Sequence, residues 1–189
     1  RNGLPVPLPV DLHAAEPEGD VVDEVDDAVV ADDRSGAMVP VGGGKDSALV
    51  AALVPDGHLF AVNPKDAQRH LADALGRPLI EATRTLDPQL RDLVAAGATN
   101  GHVPVTAITS AVAVLGAAAL GLRDVVMGIE RSADEPTVVT DDGHPVNHQF
   151  SKSAEAERLL RAAFAPTGVR YFSLLRSLSE LAIGTGVVA

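Results

Sequence analysis

Val39-Pro40-Val41-Gly42-Gly43-Gly44-Lys45-Asp46-Ser47 is the stretch on which the fold turns. It begins in a short apolar run, Ala37–Val41, which reads as a strand, and leads into a helical pattern from about Asp46 to Val54. Three glycines between strand and helix let backbone N–H groups converge without Cβ interference, which makes a cradle for an anion. The helix start adds unpaired amides and a partial positive charge. Lys45 adds a full charge and Ser47 a hydroxyl in the first helical turn. The loop is not a Walker A motif, which wants Ser or Thr directly after Gly-Lys and a glycine five positions before the second glycine. Here Asp46 follows the lysine and Val39 occupies the earlier position.

Outward from this loop, strand and helix patterns alternate. His58–Val62 is a second apolar run; Pro64 and a helical stretch to Leu75 follow, stopped by Gly76. Pro78–Thr83 reads as a third strand, Pro88–Ala95 as a polar helix and Asp124–Gly128 as a fourth strand. Between the last two, Ile108, Val112, Leu115 and Ala119 step by four, three and four, which predicts a buried helix on that stripe. Ser153–Ala165 is a further helix. This rhythm argues an α/β fold, a parallel sheet with helices on both faces, in which ligands bind beyond the carboxyl ends of the strands.

The 189 residues include 26 acids and 15 Lys+Arg, a net charge of −11. Residues 16–33 hold nine of those acids and no Lys or Arg, so the remainder is nearly balanced. No basic stripe is available to displace counterions from nucleic acid, which excludes a general nucleic-acid binder. With no cysteine there is neither a disulfide framework nor a thiolate site. Val103–Leu122 is uncharged for 20 residues, yet it is interrupted by Pro104, Gly116 and Gly121 and is rich in alanine. A buried helix accounts for it better than a membrane span. Arg1–Val10 has three prolines and no apolar run of signal-peptide length, so nothing there demands export. Residues 1–36 are expected to form a Pro-rich and acidic appendage or the remnant of a larger domain, with Val21–Val30 as an acidic helix, and residues 37–189 the ligand-binding domain, incomplete at its carboxyl end.

The glycine loop resembles the pyrophosphate loop (PP-loop) of the ATP pyrophosphatases, written Ser/Gly-Gly-Gly-x-Asp-Ser, whose fold is adenine-nucleotide alpha-hydrolase-like. Further segments narrow the resemblance: Leu59-Phe60-Ala61-Val62-Asn63-Pro64-Lys65-Asp66, Asn100-Gly101-His102-Val103-Pro104-Val105-Thr106, Glu130-Arg131-Ser132, Val146-Asn147-His148-Gln149-Phe150-Ser151-Lys152-Ser153 and Tyr171-Phe172-Ser173-Leu174-Leu175-Arg176-Ser177-Leu178-Ser179-Glu180-Leu181. Together they look like the UDP-N-acetylmuramoyl-L-alanyl-L-glutamate epimerase family over about residues 37–183. Family members are longer, with a larger N-terminal region and a cysteine-containing segment after the Ser-Glu-Leu stretch; this chain ends at Gly184-Thr185-Gly186-Val187-Val188-Ala189.

The resemblance implies an ATP- and magnesium-dependent isomerase of peptidoglycan biosynthesis in the cytoplasm, acting on a UDP-muramoyl-peptide. It inverts the terminal glutamate and releases AMP and pyrophosphate. It also implies that Gly42, Gly43, Gly44, Lys45, Asp46, Ser47, Asn63, Arg131 and Ser132 bind the nucleotide. His102, His148, Glu130 and Lys152 are the candidates for catalysis. Both histidines sit inside matched segments, and histidine is the side-chain type suited to proton transfer near neutral pH; His102 is the first choice for the base. Arg131 suits phosphate or carboxylate. Asp46 and Glu130 are the candidate magnesium ligands, with Asp134 a further oxygen donor, since magnesium needs only one or two carboxylates. Two other readings stay open: an amide-forming ligase that shares the adenylate intermediate, and a non-catalytic nucleotide-binding subunit requiring a partner chain or oligomer. Transfer of sulfur to RNA is disfavoured by the lack of cysteine and of a basic stripe.

Overall fold

The computed structural model describes residues 33–98 and 103–188. Two compact units divide the chain. One comprises Arg1–Asp32 and Thr85–Val103, the other Asp33–Arg84 and Pro104–Ala189. The expected acidic helix at Val21–Val30 lies outside the described residues.

The larger unit runs β1 (Ala37–Pro40), α1 (Lys45–Leu53), β2 (His58–Val62), α2 (Asp66–Leu75) and β3 (Leu79–Ala82). In the other unit, α3 (Gln89–Ala95) has no buried residue. The larger unit resumes with α4 (Val105–Ala119) and β4 (Asp124–Met127), then a short hairpin of β5 (Val138–Val139) and β6 (Pro145–Val146). It closes with α5 (Ala154–Phe164), β7 (Arg170–Ser173) and α6 (Glu180–Val188). The main sheet has five strands in the order β3-β2-β1-β4-β7, every neighbouring pair parallel. The expected α/β class and parallel sheet are therefore present.

Side chains alternate across the strands, as a period of two requires. Met38, Phe60, Val125, Met127 and Tyr171 pack on one face with Ala113, Val114 and Ala117 of α4 and with Leu160 and Phe164 of α5. Ala37, Val39, Leu59, Ala61 and Val126 pack on the other with Val50 and Ala51 of α1, Ala72 of α2 and Ile183 of α6. Helices thus cover both faces. Local chemistry sets their ends: Ser153 accepts from the Ala156 N–H at 3.0 Å to cap α5, and Gly76, left-handed at φ 63°, ends α2.

Two expectations need correcting. The stripe Ile108, Val112, Leu115 and Ala119 is not the buried face of α4. Leu115 is 65% exposed, and the buried positions are Ser110, Ala113, Val114 and Ala117. The helix is apolar on all sides, so its pattern does not choose a face; the small residues do, because they let α4 approach Met38 and Phe60. A Cβ at Gly116 would stand 3.3 Å from the Met38 methyl. The sheet also has a fifth strand, β7, which the four-strand reading passed over. No helix among the described residues is long and apolar enough to cross a membrane.

Candidate functional site

Strand order reverses between β1 and β4: from β1 the chain moves outward to β2 and β3, then returns to β4 on the other side. At such a switch point the loops leaving the two strands part and open a crevice. A cavity of about 290 Å³ lies there, lined by Val41, Gly42, Gly44, Asp46 and Ser47 after β1, by Met127, Gly128 and Ile129 after β4, by Val105, Thr106 and Thr109 of α4, and by Phe60 and Lys152.

The glycine loop forms its wall from backbone. Ser47, 8% exposed, accepts from the Gly42 N–H at 3.2 Å and donates to the Gly44 carbonyl at 3.0 Å, closing the loop on itself. Gly43 is the position that must be glycine. Its φ is +81°, and a Cβ there would lie 2.8 Å from the Cβ of Ala67 in α2. At Gly42 and Gly44 an added Cβ meets nothing within 4 Å, so open space lies against both. Gln68 ties α2 to the loop, donating to the Gly42 carbonyl at 3.2 Å while accepting from the Lys65 N–H at 3.0 Å. No side chain caps the first turn of α1, because its N-cap is Gly44. Exposed backbone, open space and an uncapped helix start are what a phosphate chain needs, so these residues fit a nucleotide.

Lys45 and Lys152 differ. Lys45 Nζ donates to Asp46 Oδ1 at 2.7 Å and lies 3.4 Å from Glu180. The Asp46 hydrogen bond holds its ammonium above the ordinary lysine range. Lys152, on the turn Phe150–Lys152, lines the cavity and donates to the neutral Gln149 Oε1 at 3.2 Å. Among the described residues it has no carboxylate partner.

The Lys152 wall is assembled by Arg176. Its guanidinium donates to the carbonyls of Glu130 at 3.3 Å, Lys152 at 3.0 Å and Ser153 at 3.5 Å, and to Glu157 Oε2 at 2.6 Å. Glu157 in turn accepts from the Ser173 N–H at 3.1 Å. Neither was given a role from sequence, although Arg176 lies inside a quoted segment; only the fold shows which carbonyls it reaches. Gly128 was likewise unremarked. A Cβ there would lie 3.1 Å from the Asp46 carbonyl oxygen, so this glycine lets the β4 exit run directly beneath the start of α1.

The other sequence-derived residues divide. Glu130 accepts from the Ser132 N–H at 2.5 Å and so caps the turn Arg131–Asp134. Arg131 is exposed, with its N–H on the Leu178 carbonyl at 2.9 Å. Asp134 accepts from the Ala154 N–H at 2.5 Å at the start of α5. Asn147 bonds the Ala133 carbonyl at 2.8 Å, and His148 Nδ1 lies 2.7 Å from Thr137 Oγ1 at the base of the hairpin. Glu130, Arg131, Ser132 and His148 therefore gather at the same sheet edge without lining the cavity itself. Asn63 engages the Arg84 backbone. Asn100, Gly101 and His102 lie outside the described residues. Of the two expected magnesium ligands, Asp46 lines the cavity, and no group of three or more His, Asp or Glu side chains placed to hold a metal occurs among the described residues.

Residues 1–174 match the family described as the MurL N-terminal domain. The chain belongs to this family. It is 47% identical over 190 residues to the UDP-N-acetyl-alpha-D-muramoyl-L-alanyl-L-glutamate epimerase of Salinispora tropica, covering 97% of this chain and 40% of that protein. The equally named proteins of a Micromonospora species and of Xanthomonas oryzae pv. oryzae are 51% and 39% identical, over 76% and 79% of this chain and 33% and 35% of theirs. The chain thus spans about two fifths or less of the curated relatives it matches. The match covers the glycine loop, Lys152 and β7, and so most of the cavity-bearing unit of this MurL N-terminal domain.

Proposed function

We propose that this chain is the ATP-binding part of an epimerase that activates the terminal carboxylate of UDP-N-acetylmuramoyl-L-alanyl-L-glutamate and inverts the glutamate α-carbon, with AMP and pyrophosphate as products. The observation that carries this reading is the switch-point cavity bounded by the glycine loop and the uncapped start of α1, in a chain 39–51% identical to proteins bearing that epimerase name. The sheet order and a phosphate-type loop after its central strand support a PP-loop, adenine-nucleotide alpha-hydrolase-like assignment. A nucleotide-linked precursor and ATP as substrates point to the cytoplasm.

The chemistry follows from charge. The α-proton of a terminal glutamate is poorly acidic because the enolate would sit on an already ionised carboxylate. Adenylation removes that charge; a base can then take the proton, protonation from the other face inverts the centre, and hydrolysis of the acyl-adenylate by water returns the carboxylate and releases AMP. The β,γ-phosphates would lie on Gly42–Ser47, with Ser47 holding the loop closed. Asp46 would hold magnesium, with Glu130 the second candidate, and the ion would neutralise phosphate charge. Lys152, which shares the cavity, would stabilise negative charge on the reacting carbonyl. His102 remains the first candidate base and His148 the second, a role worth ~10²–10⁴-fold in rate.

The test is incubation with ATP, magnesium and the UDP-muramoyl-dipeptide in deuterated water. AMP, D-glutamate and deuterium at Cα are expected together. AMP with a new amide and no deuterium would replace the epimerase by a ligase. Tight ATP binding without AMP would make this chain a nucleotide-binding subunit, and no ATP binding would sink the assignment.

A further inference from the structure

Beyond the cavity, the carboxyl ends of β2 and β3 hold a second arrangement. Asn63, directly after β2, has φ +47°, the one non-glycine residue with positive φ among the described residues. Its Nδ2 donates to the Arg84 carbonyl at 2.7 Å and its Oδ1 accepts from the Arg84 N–H at 2.7 Å. Its own N–H donates to the Ala82 carbonyl at 2.8 Å. These bonds carry the ladder past its last register pair, Val62 with Ala82, and fix the Arg84 backbone at the sheet's ligand edge. The Arg84 Nε, however, is buried without a hydrogen-bond partner, the one such side-chain atom among the described residues. An unmet buried donor is costly, and the Asn63 amide holds the Arg84 backbone that carries it. Both features make physical sense when the acceptor arrives with a ligand.

We infer that Arg84 is an oxyanion-binding side chain, positioned by Asn63, that takes a phosphate or carboxylate of the second substrate rather than the triphosphate of ATP. Two strand spacings of ~4.8 Å separate β3 from β1, which sets Arg84 roughly 10 Å along the edge from the glycine loop. The proposal keeps the pyrophosphate on Gly42–Ser47 and gives this outer position to the second substrate, and the one proposed above carries both a diphosphate and carboxylates. The inference rests on that reading for its choice of substrate, but not for the oxyanion.

The test is calorimetric titration of the chain with three probes: Mg-ATP, UDP and the dipeptide L-Ala-L-Glu. Arg84→Gln is expected to leave Mg-ATP affinity within about twofold and to weaken UDP or the dipeptide by roughly 10–100-fold, the size of a charge-assisted pair. The probe that responds identifies phosphate or carboxylate. Arg84→Lys keeps the charge without the Nε donor and is expected to restore only part of the loss. Asn63→Gly accepts the positive φ but lacks the amide, and should weaken the same probe. If Arg84→Gln does not fold, Arg84→Lys is the variant that decides. Unchanged affinity for both UDP and the dipeptide in the folded variants overturns the inference, as does an equal loss for Mg-ATP or a parental chain that binds neither probe. A chain that ignores Mg-ATP yet loses UDP or dipeptide binding in Arg84→Gln would sink the nucleotide reading and leave Arg84 in its role.

Discussion

The glycine loop keeps its shape through bonds within six residues, Ser47 to Gly42 and Gly44. The segments carrying Glu130 and Lys152 keep theirs through Arg176, which lies 46 and 24 residues further along the chain. One wall is chiefly local backbone, tied to α2 by Gln68; the other is assembled at long range, where Arg176 acts together with the bonds of Asn147 and Asp134. A local wall survives loss of distant contacts and is sensitive to its own dihedral angles. The assembled wall has the opposite vulnerability.

The largest expected effect is on the assembled wall. Arg176→Met leaves Glu157, whose side chain is 13% exposed, without its cation and releases three carbonyls, at a cost of about 3 kcal/mol. Urea denaturation measures this, and limited proteolysis should cut more readily at the Phe150–Lys152 turn while the glycine loop still resists it. Equal opening of both walls would break the comparison. Next is Gly43→Val, which forbids φ +81° and collides with Ala67. A loss of about 2 kcal/mol is expected, against less than about 0.5 kcal/mol for Gly44→Ala. A similar penalty at both glycines would mean that the loop is plain turn.

Ser47→Ala should cost about 1 kcal/mol by freeing the Gly42 N–H and should weaken ATP binding without loosening the Phe150–Lys152 turn, as read by the same proteolysis. The smallest effect concerns Tyr171, behind both walls. Its hydroxyl lies 2.8 Å from Ser110 Oγ, which also donates to the Thr106 carbonyl, and burial pushes its pKa above the ordinary 10.0. A folded pKa above the unfolded one contributes stability that is complete below pH 10 and is lost as pH rises through the folded value. Tyr171→Phe should lower stability by about 0.5–1 kcal/mol at neutral pH and remove that alkaline loss. A pH series of denaturation midpoints that stays parallel to the parent above pH 10 would contradict it.

What was legible in the sequence follows the same division. The strand, glycine loop and helix entry could be read because each depends on neighbours within a few residues. The α/β class followed from the repeated alternation. The buried face of α4 could not be read, since a helix apolar all round is oriented by which of its residues are small enough to meet Met38 and Phe60. The strand β7 escaped because its Arg170 faces Asp124 across the sheet at 2.6 Å, a polar start that dilutes a four-residue apolar signal. Arg176 was visible as a letter in a motif, but its role depends on carbonyls delivered by two separate segments. Asn63 carried a signal in its residue type, because asparagine tolerates positive φ. Its partner, Arg84, lies 21 residues away, and only the parallel pairing of β2 and β3 joins them.

Gly128 has a mechanical consequence. With no side chain between them, the β4 exit and the first turn of α1 are in backbone contact, where an added Cβ would stand 3.1 Å from the Asp46 carbonyl oxygen. An inward shift of the first turn of α1 would therefore press on backbone directly, one residue before Ile129 and two before Glu130, whose carbonyl Arg176 holds at 3.3 Å.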